Sequence, residues 1–286
     1  MNISYSVVRL LYKLPMPVSR RALFVCSNRR LPHFRNPSTF NDKVNWRILN
    51  DRRPLLEWTC DKLAMKEHVR TVPELLVPNT LWAGTSLREL ETVELPEHWV
   101  LKPNHRSGLV YFGHGRPNTA FLTTITRKWI RSAQAEDLHE WAYEKAQPLV
   151  LAEELLGLPG SPPPDYKFFV FAGEVAAVQV DVGRHSLHQR RIYLPDWSPL
   201  EVSSGNHPLA PVEPPPENLE EMLGIASEIG RPFDFMRVDL YSINGAAVFG
   251  EVSPYAGSGL DRFVPESFDS QLGANWELAS VDPRIH

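Results

Sequence analysis

The chain has few cysteines and no long apolar run, and each absence excludes a class of protein. Cys26 and Cys60 are the two cysteines among 286 residues, too few for a disulfide framework or a cysteine zinc cluster. Unpaired thiols suit a reducing compartment, so we expect a cytoplasmic protein. No apolar stretch reaches the roughly 18 residues that cross a bilayer. The apolar start over 5–14 is interrupted by Arg9 and Lys13, so we do not predict a signal peptide.

Acidic side chains are missing before Asp42, although seven lysines and arginines fall between Arg9 and Arg35. Such a segment has three uses. It can lie on an anionic membrane surface, pack on the body as an amphipathic arm, or form a basic pocket for a charged substrate. We favour the packed arm and keep peripheral membrane contact as the alternative.

Composition excludes further classes of protein. Hydrophobic content of 43% and charged content of 22% are ordinary for a soluble globular protein. The net charge of −4 argues against a dedicated nucleic-acid binder. The sequence contains no internal repeat and neither a nucleophile-elbow motif nor a Cys–His signature. These patterns do not determine the oligomeric state.

Helical and strand patterns follow one another along the chain. Thr39 is the predicted cap of an amphipathic helix, and another helix begins near Asp61. Short strands joined by tight turns come next. We predict that residues 184–216, which are rich in proline and histidine, form a connection without strands.

The most informative segment is a predicted β-hairpin that runs from Arg237 to Ser253. Asn244-Gly245 is a strong hairpin turn signal. Asp239 and Glu251 offer the hard carboxylate oxygens that Mg²⁺ prefers. The alternative is a surface hairpin with solvated charges.

The length of the turn decides whether the two carboxylates can share a metal. A two-residue turn sends Asp239 and Glu251 to opposite faces unless a bulge intervenes. A three-residue loop over 243–245 pairs 239 with 249 and 237 with 251. We predict this second arrangement, which places four polar side chains on one face: Arg237, Asp239, Glu251 and Ser253.

Two weaker signals come from single lysines. Lys102 ends a predicted strand, and Ser107-Gly108 in the following turn can direct backbone N–H groups to a phosphate. A lysine at a strand edge is the alternative. Asp165 and Lys167 share one strand face, where the acid can bind ribose and the base a phosphate. The alternative is a cross-strand ion pair, worth less than about 1 kcal/mol when exposed.

A third weak signal follows the apolar strand predicted over 148–152. Strand-to-loop segments of this kind offer backbone C=O and N–H groups to an adenine edge. The alternative is a solvated acidic pair. The residues concerned are Glu153, Glu154, Leu155 and Leu156.

The order and spacing of these pieces resemble the ATP-grasp superfamily, and within it the teichuronopeptide-biosynthesis-like (TupA-like) ATP-grasp family. The resemblance covers roughly residues 35–275. The segments that carry it are Thr39–Val44, Asp61-Lys62, Leu101–His105, Asp165–Phe169, Arg237–Tyr241 and Gly250-Glu251.

The resemblance implies an α+β, ATP-grasp fold, in which two α+β subdomains grip ATP between antiparallel sheets. Residues 1–60 would form a basic helical arm packed on the body. Residues 61–156 would form the first part of the grasp with its phosphate turn, and residues 157–286 the second part with the metal-binding hairpin.

The resemblance also implies how ATP is held. Lys62 and Lys102 would neutralise the α- and β-phosphates, with Ser107 and Gly108 in the covering turn. The segment 153–156 would meet the adenine. Asp165 would bind the ribose, and Lys167 would approach the γ-phosphate as a catalytic residue.

The metal and the transferred group involve the hairpin in the same picture. Asp239 and Glu251 would hold Mg²⁺, while Arg237 would stabilise the phosphoryl group. Superfamily enzymes often have asparagine where this chain has Ser253, so that ligand and a second metal are in doubt. Family members often have glycine where this chain has Arg106. Three arginines suit either the γ-phosphate or an acidic substrate: Arg184, Arg190 and Arg191.

By resemblance, the expected activity is that of an ATP-dependent carboxylate–amine ligase acting through an acyl phosphate. Its partners would be a small-molecule or glycan carboxylate and an amine, in cell-surface polysaccharide or peptide biosynthesis. The alternatives are a kinase for a sugar or lipid-linked hydroxyl, and a non-catalytic nucleotide-binding partner in a biosynthetic complex. The sequence names neither the acid nor the amine.

Overall fold

Two antiparallel sheets, each with its own core, define the fold. The computed structural model describes residues 11, 14–130, 138–157, 163–183 and 187–280. Within these residues the α-helices are α1 (Met16–Asn28), α2 (Phe40–Asn50), α3 (Lys62–Val69), α4 (Thr119–Thr126), α5 (Leu219–Gly230) and α6 (Ser267–Ala274). The 3-10 helices are Pro54–Cys60, Leu87–Thr92, Trp141–Lys145 and Ala256–Gly259.

The strands form a four-stranded sheet, a six-stranded sheet and a two-stranded sheet within the described residues. The strands are β1 (Thr80–Gly84), β2 (His98–Pro103), β3 (Tyr111–His114), β4 (Val150–Glu154), β5 (Asp165–Phe171), β6 (Glu174–Val182), β7 (Gln189–Tyr193), β8 (Pro199–Leu200), β9 (Ser203–Ser204), β10 (Met236–Ile243), β11 (Ala246–Ser253) and β12 (Phe263–Val264). The small sheet has the order β1-β4-β2-β3, the large sheet β11-β10-β5-β6-β7-β8, and β9 pairs with β12.

Helices cover both faces of the large sheet. On one face, Phe40 of α2 packs edge-on against Phe169 and Phe171 of β5. On the other face, a Cβ at Gly230 of α5 would lie 2.4 Å from Val170 Cγ1, so glycine permits this close approach. Thr39 caps α2, because its Oγ1 accepts a hydrogen bond from the Asp42 N–H at 3.3 Å. The predicted start of this helix is confirmed.

The small sheet has a separate core. Trp99 and Leu101 of β2 point into it, and α4 contributes Leu122. The intervening residues of β2 point the other way, as the strand period requires. Helices α2 and α3 pack in the core of the large sheet, while β1 to β4 lie within the predicted segment 61–156. The domain boundaries at 60 and 156 stay predictions.

The predicted connection over 184–216 is wrong in its described part. Strand β7 lies within it and pairs with β6 and β8 in the large sheet. Ile192 and Tyr193 are buried in this strand. The strand begins with polar residues, so its sequence did not indicate a buried strand. The open edge of β6 supplies the backbone hydrogen-bonding groups that make this segment a strand.

The basic N-terminal segment packs on the body where it is described. Arg20 of α1 is buried, and it donates to Asn45 Oδ1 and to the Ser258 carbonyl, both at 2.5 Å. Arg30 pairs with Asp42 at 2.9 Å and with Asp269 at 3.0 Å. Across the described residues, none of the helices has the length and apolar character to cross a membrane.

Candidate active site

The hairpin predicted from Arg237 to Ser253 forms, but with a different register. The predicted three-residue loop is wrong. Asn244 and Gly245 have φ values of 52° and 76° and form a two-residue turn, with residue 243 paired with residue 246. The positive φ values are those that Asn-Gly tolerates in such a turn.

A bulge at Gly250 corrects the alternation that this short turn imposes. The register shifts there, so that Asp239 faces Glu251 and Arg237 faces Ser253. A Cβ at residue 250 would lie 2.9 Å from the Asp239 carbonyl oxygen, which explains the glycine. The four side chains therefore share one face, but through a bulge and not through a longer loop.

Arg237 and Lys167 surround Asp239 on this face. The Lys167 Nζ donates to Asp239 Oδ2 at 2.8 Å and to Asp165 Oδ2 at 2.5 Å. Arg237 donates to both oxygens of Asp239 at 2.7 Å, and to Glu251 Oε1 at 3.1 Å. Strands β5, β10 and β11 thus place five charged side chains in one cluster.

Burial and charge set the protonation states in this cluster. Asp239 is 1% exposed; burial opposes its ionisation, but Arg237 and Lys167 hold its pKa below the usual range. Burial lowers the pKa of Lys167, yet Asp165 and Asp239 outweigh that effect and raise it. Both groups are therefore charged at neutral pH.

The cluster extends to the neighbouring strands β6 and β7. Asp181 lies 3.9 Å from Lys167 Nζ and 2.9 Å from Arg190 Nε, and Arg190 also bonds Asp261 at 2.9 Å. Gln179 donates to Asp181 at 2.9 Å. The sequence analysis did not assign Gln179, Asp181 or Asp261 to the site. Two-residue spacing along β6 was the signal for the first two.

The structure separates the three candidate arginines. Arg190 joins the cluster just described. Arg191 points away from it, donating to the Ala210 carbonyl at 2.6 Å and to Glu201 at 2.8 Å. Arg184 lies outside the described residues.

A second charged cluster lies on the small sheet. Glu153 of β4 is 2% exposed and bridges Lys102 of β2 and Lys66 of α3, at 2.6 Å on each side. Burial opposes ionisation of Glu153, but the two lysines lower its pKa. Sequence reasoning missed Lys66. Its position four residues after Lys62 on one helix was the available signal.

Lys62 links the two clusters. Asp61 caps α3 by accepting from the N–H groups of Leu63 and Ala64 at 3.0 Å, which directs Lys62 at the turn after β2. The Lys62 Nζ donates to the Arg106 carbonyl in that turn at 2.5 Å. Burial lowers the pKa of Lys62 to about 8, and the negative charge of Glu251 opposes this shift. Helix α3 contacts β11, so Lys62 and Glu251 lie close enough for their charges to interact.

The remaining candidates take these positions. Gly108 has a φ of 74° in the turn between β2 and β3, beside exposed Ser107. Glu154 accepts a hydrogen bond from the Asn79 N–H at 3.0 Å. Leu155 and Leu156 follow β4 and are half-buried.

Two further assigned side chains also have partners within the protein. Asp165 is buried and holds Lys167, so it offers little surface to a ribose. Ser253 Oγ accepts from the Tyr255 N–H at 3.3 Å.

A comparison with protein families identifies both the ATP-grasp class and the branch within it. The family described as TupA-like ATPgrasp matches residues 42–277. The chain therefore belongs to the TupA-like ATP-grasp family, as the resemblance predicted. A search of curated proteins gave no match.

Solved structures of ATP-grasp ligases show a distant likeness. D-alanine–D-alanine ligase from Helicobacter pylori is 12% identical, with 84% of this chain and 67% of that chain covered and a TM-score of 0.44. The corresponding ligase from Bacillus anthracis is 17% identical, with coverages of 68% and 56% and a TM-score of 0.40. ATP-grasp ligase PsnB, complexed with minimal precursor, Mg and ADP, is 12% identical, with coverages of 78% and 60% and a TM-score of 0.40. The chain thus spans about half to two thirds of the length of these ligases.

Proposed function

We propose that the protein is an ATP-dependent ligase that joins a carboxylate to an amine. The observation that carries this proposal is the position of Lys62: its charge interacts with Lys102 and Glu153 of one charged cluster and with Glu251 of the other. A triphosphate with a divalent cation has charges complementary to this arrangement.

The donor chemistry of the hairpin fits magnesium. The cluster on the large sheet contains five carboxylates (Asp165, Asp181, Asp239, Glu251 and Asp261) connected to three cations, Lys167, Arg190 and Arg237. Asp239 and Glu251 would hold Mg²⁺ through hard oxygens. The bound ion would supply neutralisation of phosphate charge.

The chain's own residues would position and neutralise the reacting groups. A substrate carboxylate oxygen attacks the γ-phosphorus, the bond to the bridging oxygen breaks, and ADP leaves. An amine then attacks the acyl carbon, loses a proton and displaces phosphate. Lys167 and Arg237 would stabilise negative charge during the first step, and burial of both groups strengthens their fields. No protein nucleophile takes part.

We further propose an acceptor from cell-surface polysaccharide or peptide biosynthesis, which the resemblance to the teichuronopeptide-biosynthesis-like family implies, handled in the cytoplasm. An acidic sugar is such an acid, and an amino acid is such an amine. Peripheral membrane contact remains an alternative setting for the same reaction.

The test is a coupled assay of ADP release with pairs of candidate acids and amines. We expect rapid ADP release to require both partners, and Lys102→Ala or Lys167→Ala to reduce it at least about 100-fold, the scale for losing one preorganised charge contact. Arg191→Gln is a matched control, since Arg191 faces away from the site. ADP release with a single hydroxyl substrate would show a kinase, and failure to bind nucleotide would refute both enzymes.

A further inference from the structure

A small cavity adjoins the hairpin cluster on the same face of the large sheet. Its volume is about 70 Å³, and Phe40, Gln179, Arg190, Ser204, Arg237 and Asp261 are among its lining residues. One water molecule needs about 10–15 Å³ of such space, so the cavity has room for several waters or for a group of carboxylate size. Because Arg237 lines the cavity and also bonds Asp239 and Glu251, whatever binds there lies beside the proposed phosphate and metal site.

Ser204 presents a hydroxyl whose hydrogen-bonding capacity is unused. The residue is 1% exposed, and its Oγ has no hydrogen-bond partner among the described residues. Pairing of Ser204 with Phe263 between β9 and β12 fixes its backbone. A buried hydroxyl without a partner is uncommon and calls for an explanation, and the adjoining cavity supplies one.

The wall offers N–H donors to the oxygens of a carboxylate. Two guanidinium groups, those of Arg190 and Arg237, face the space with one carboxylate, that of Asp261. The Asp261 carboxylate holds Arg190 from one side at 2.9 Å, and Asp181 holds it from the other at 2.9 Å. Arg190 is therefore fixed before any ligand arrives.

Two glycines make room for this carboxylate. A Cβ at Gly205 would lie 3.0 Å from Asp261 Oδ1, and a Cβ at Gly257 would lie 2.9 Å from Asp261 Cγ. Both residues also have positive φ values, 66° and 56°. The backbone therefore closes around Asp261 and keeps Arg190 oriented toward the cavity.

We propose that this cavity binds the carboxylate of the acid substrate, with Ser204 and Arg190 as hydrogen-bond donors and Phe40 against the adjacent carbon. The inference rests on the proposed function for the reaction that follows, but binding of the acid can be measured without it. It makes Ser204 and Arg190 specificity determinants, because a neutral amide or ester of the same shape would lack the charge that Arg190 selects.

The experiment measures binding of three acids, acetate, glutamate and glucuronate, and of their neutral amides acetamide, glutamine and glucuronamide. Isothermal titration is carried out with the full chain, both alone and with Mg²⁺ and a non-hydrolysable ATP analogue. We expect at least one acid to bind more tightly than its amide. Ser204→Ala should weaken that acid about 2- to 10-fold, the range for one hydrogen bond, and should leave nucleotide affinity unchanged.

Matched variants keep the result interpretable. Ser203→Ala alters the preceding, half-buried residue of the same strand, so it should bind the acid like the unmodified chain. Arg190→Gln should weaken acid binding further, and an unchanged circular dichroism spectrum and melting temperature would show that it folds.

Two outcomes would overturn the proposal: no acid binding better than its amide, or Ser204→Ala binding the acid as tightly as the unmodified chain does. If the unmodified chain binds the acid but does not bind the nucleotide analogue, the proposed function is refuted and the cavity assignment stands.

Discussion

Glu153→Gln is the sharpest test of the charged cluster on the small sheet. The change keeps the shape of the side chain but removes the counter-ion of Lys66, whose Nζ lies 2.6 Å from Glu153 Oε1. Lys66 is 4% exposed and would keep uncharged acceptors: the Pro78 carbonyl and the Thr80 hydroxyl, at 2.8 and 2.9 Å, and the amide oxygen of the new side chain. None of these groups carries a charge, so the charge of a buried ammonium would be left uncompensated.

The expected loss follows from this geometry. Removing one partner of a buried ion pair costs about 3–5 kcal/mol. Lys102, the other partner, is 22% exposed and adds little, because water can solvate it. For a chain of this size, each kcal/mol lowers the melting temperature by about 2–4 °C, so we expect a fall of roughly 6–20 °C near neutral pH.

The loss should depend on pH in a defined direction. Burial lowers the pKa of Lys66, and losing the charge of Glu153 would lower it further. Between that folded value and the unfolded value of about 10.4, the unfolded chain binds more protons, so the variant gains stability as pH rises. The pKa of Glu153 is lower in the folded chain than in the unfolded chain. Its contribution to the stability of the unmodified chain is therefore complete above the unfolded pKa of about 4.3 and is lost as pH falls through the folded pKa. The deficit should therefore be largest near neutral pH.

The measurement is urea denaturation followed by circular dichroism at about pH 4, 7 and 10, the limits that these pKa values set. Glu154→Gln is the matched control, because the amide oxygen can still accept from Asn79 and the side chain is only half-buried. The reasoning is refuted if Glu153→Gln stays within about 1 kcal/mol of the control at neutral pH, the upper limit for an exposed pair. A deficit that grows at high pH would refute it equally.

Three further predictions test the cleft and the hairpin. Because the Lys62 pKa is about 8, affinity for a Mg²⁺–ATP analogue should fall by up to about tenfold per pH unit above that value. Calorimetry of Lys62→Arg, which stays charged, should show a flatter dependence of affinity on pH. An equal dependence in both proteins contradicts the assignment of Lys62 to the phosphates. Gly250→Ala should lower the free energy of unfolding by about 1–3 kcal/mol, measured by denaturation, because the added Cβ overpacks against the Asp239 carbonyl. It should also weaken Mg²⁺ binding, measured by titration. No change in either quantity means that the bulge does not set the register. Glu251→Gln should abolish Mg²⁺-dependent ADP release while the nucleotide still binds, and normal turnover would show that the metal lies elsewhere.

Local patterns determined much of the helical structure and the identity of the charged groups. Thr39 and Asp61 cap their helices as their side-chain chemistry predicts, because a cap depends on residues only two or three positions away. Asn244-Gly245 determined the turn for the same reason, although we expected a longer loop around it. The order of the motifs was sufficient to indicate the ATP-grasp family, which the family comparison confirmed.

Only the tertiary structure decided which charges meet. The Gly250 bulge, and not the turn length, brings Asp239 opposite Glu251, because a bulge depends on backbone contacts across strands. Lys66 pairs with Glu153, a residue far away in sequence. The Ser204 hydroxyl is buried without a hydrogen-bond partner among the described residues, which no local pattern predicts. Sequence alone therefore determined the local elements and the kinds of charged side chain available. Long-range packing decided which of these side chains meet, since pairing between distant strands is not encoded in any short segment.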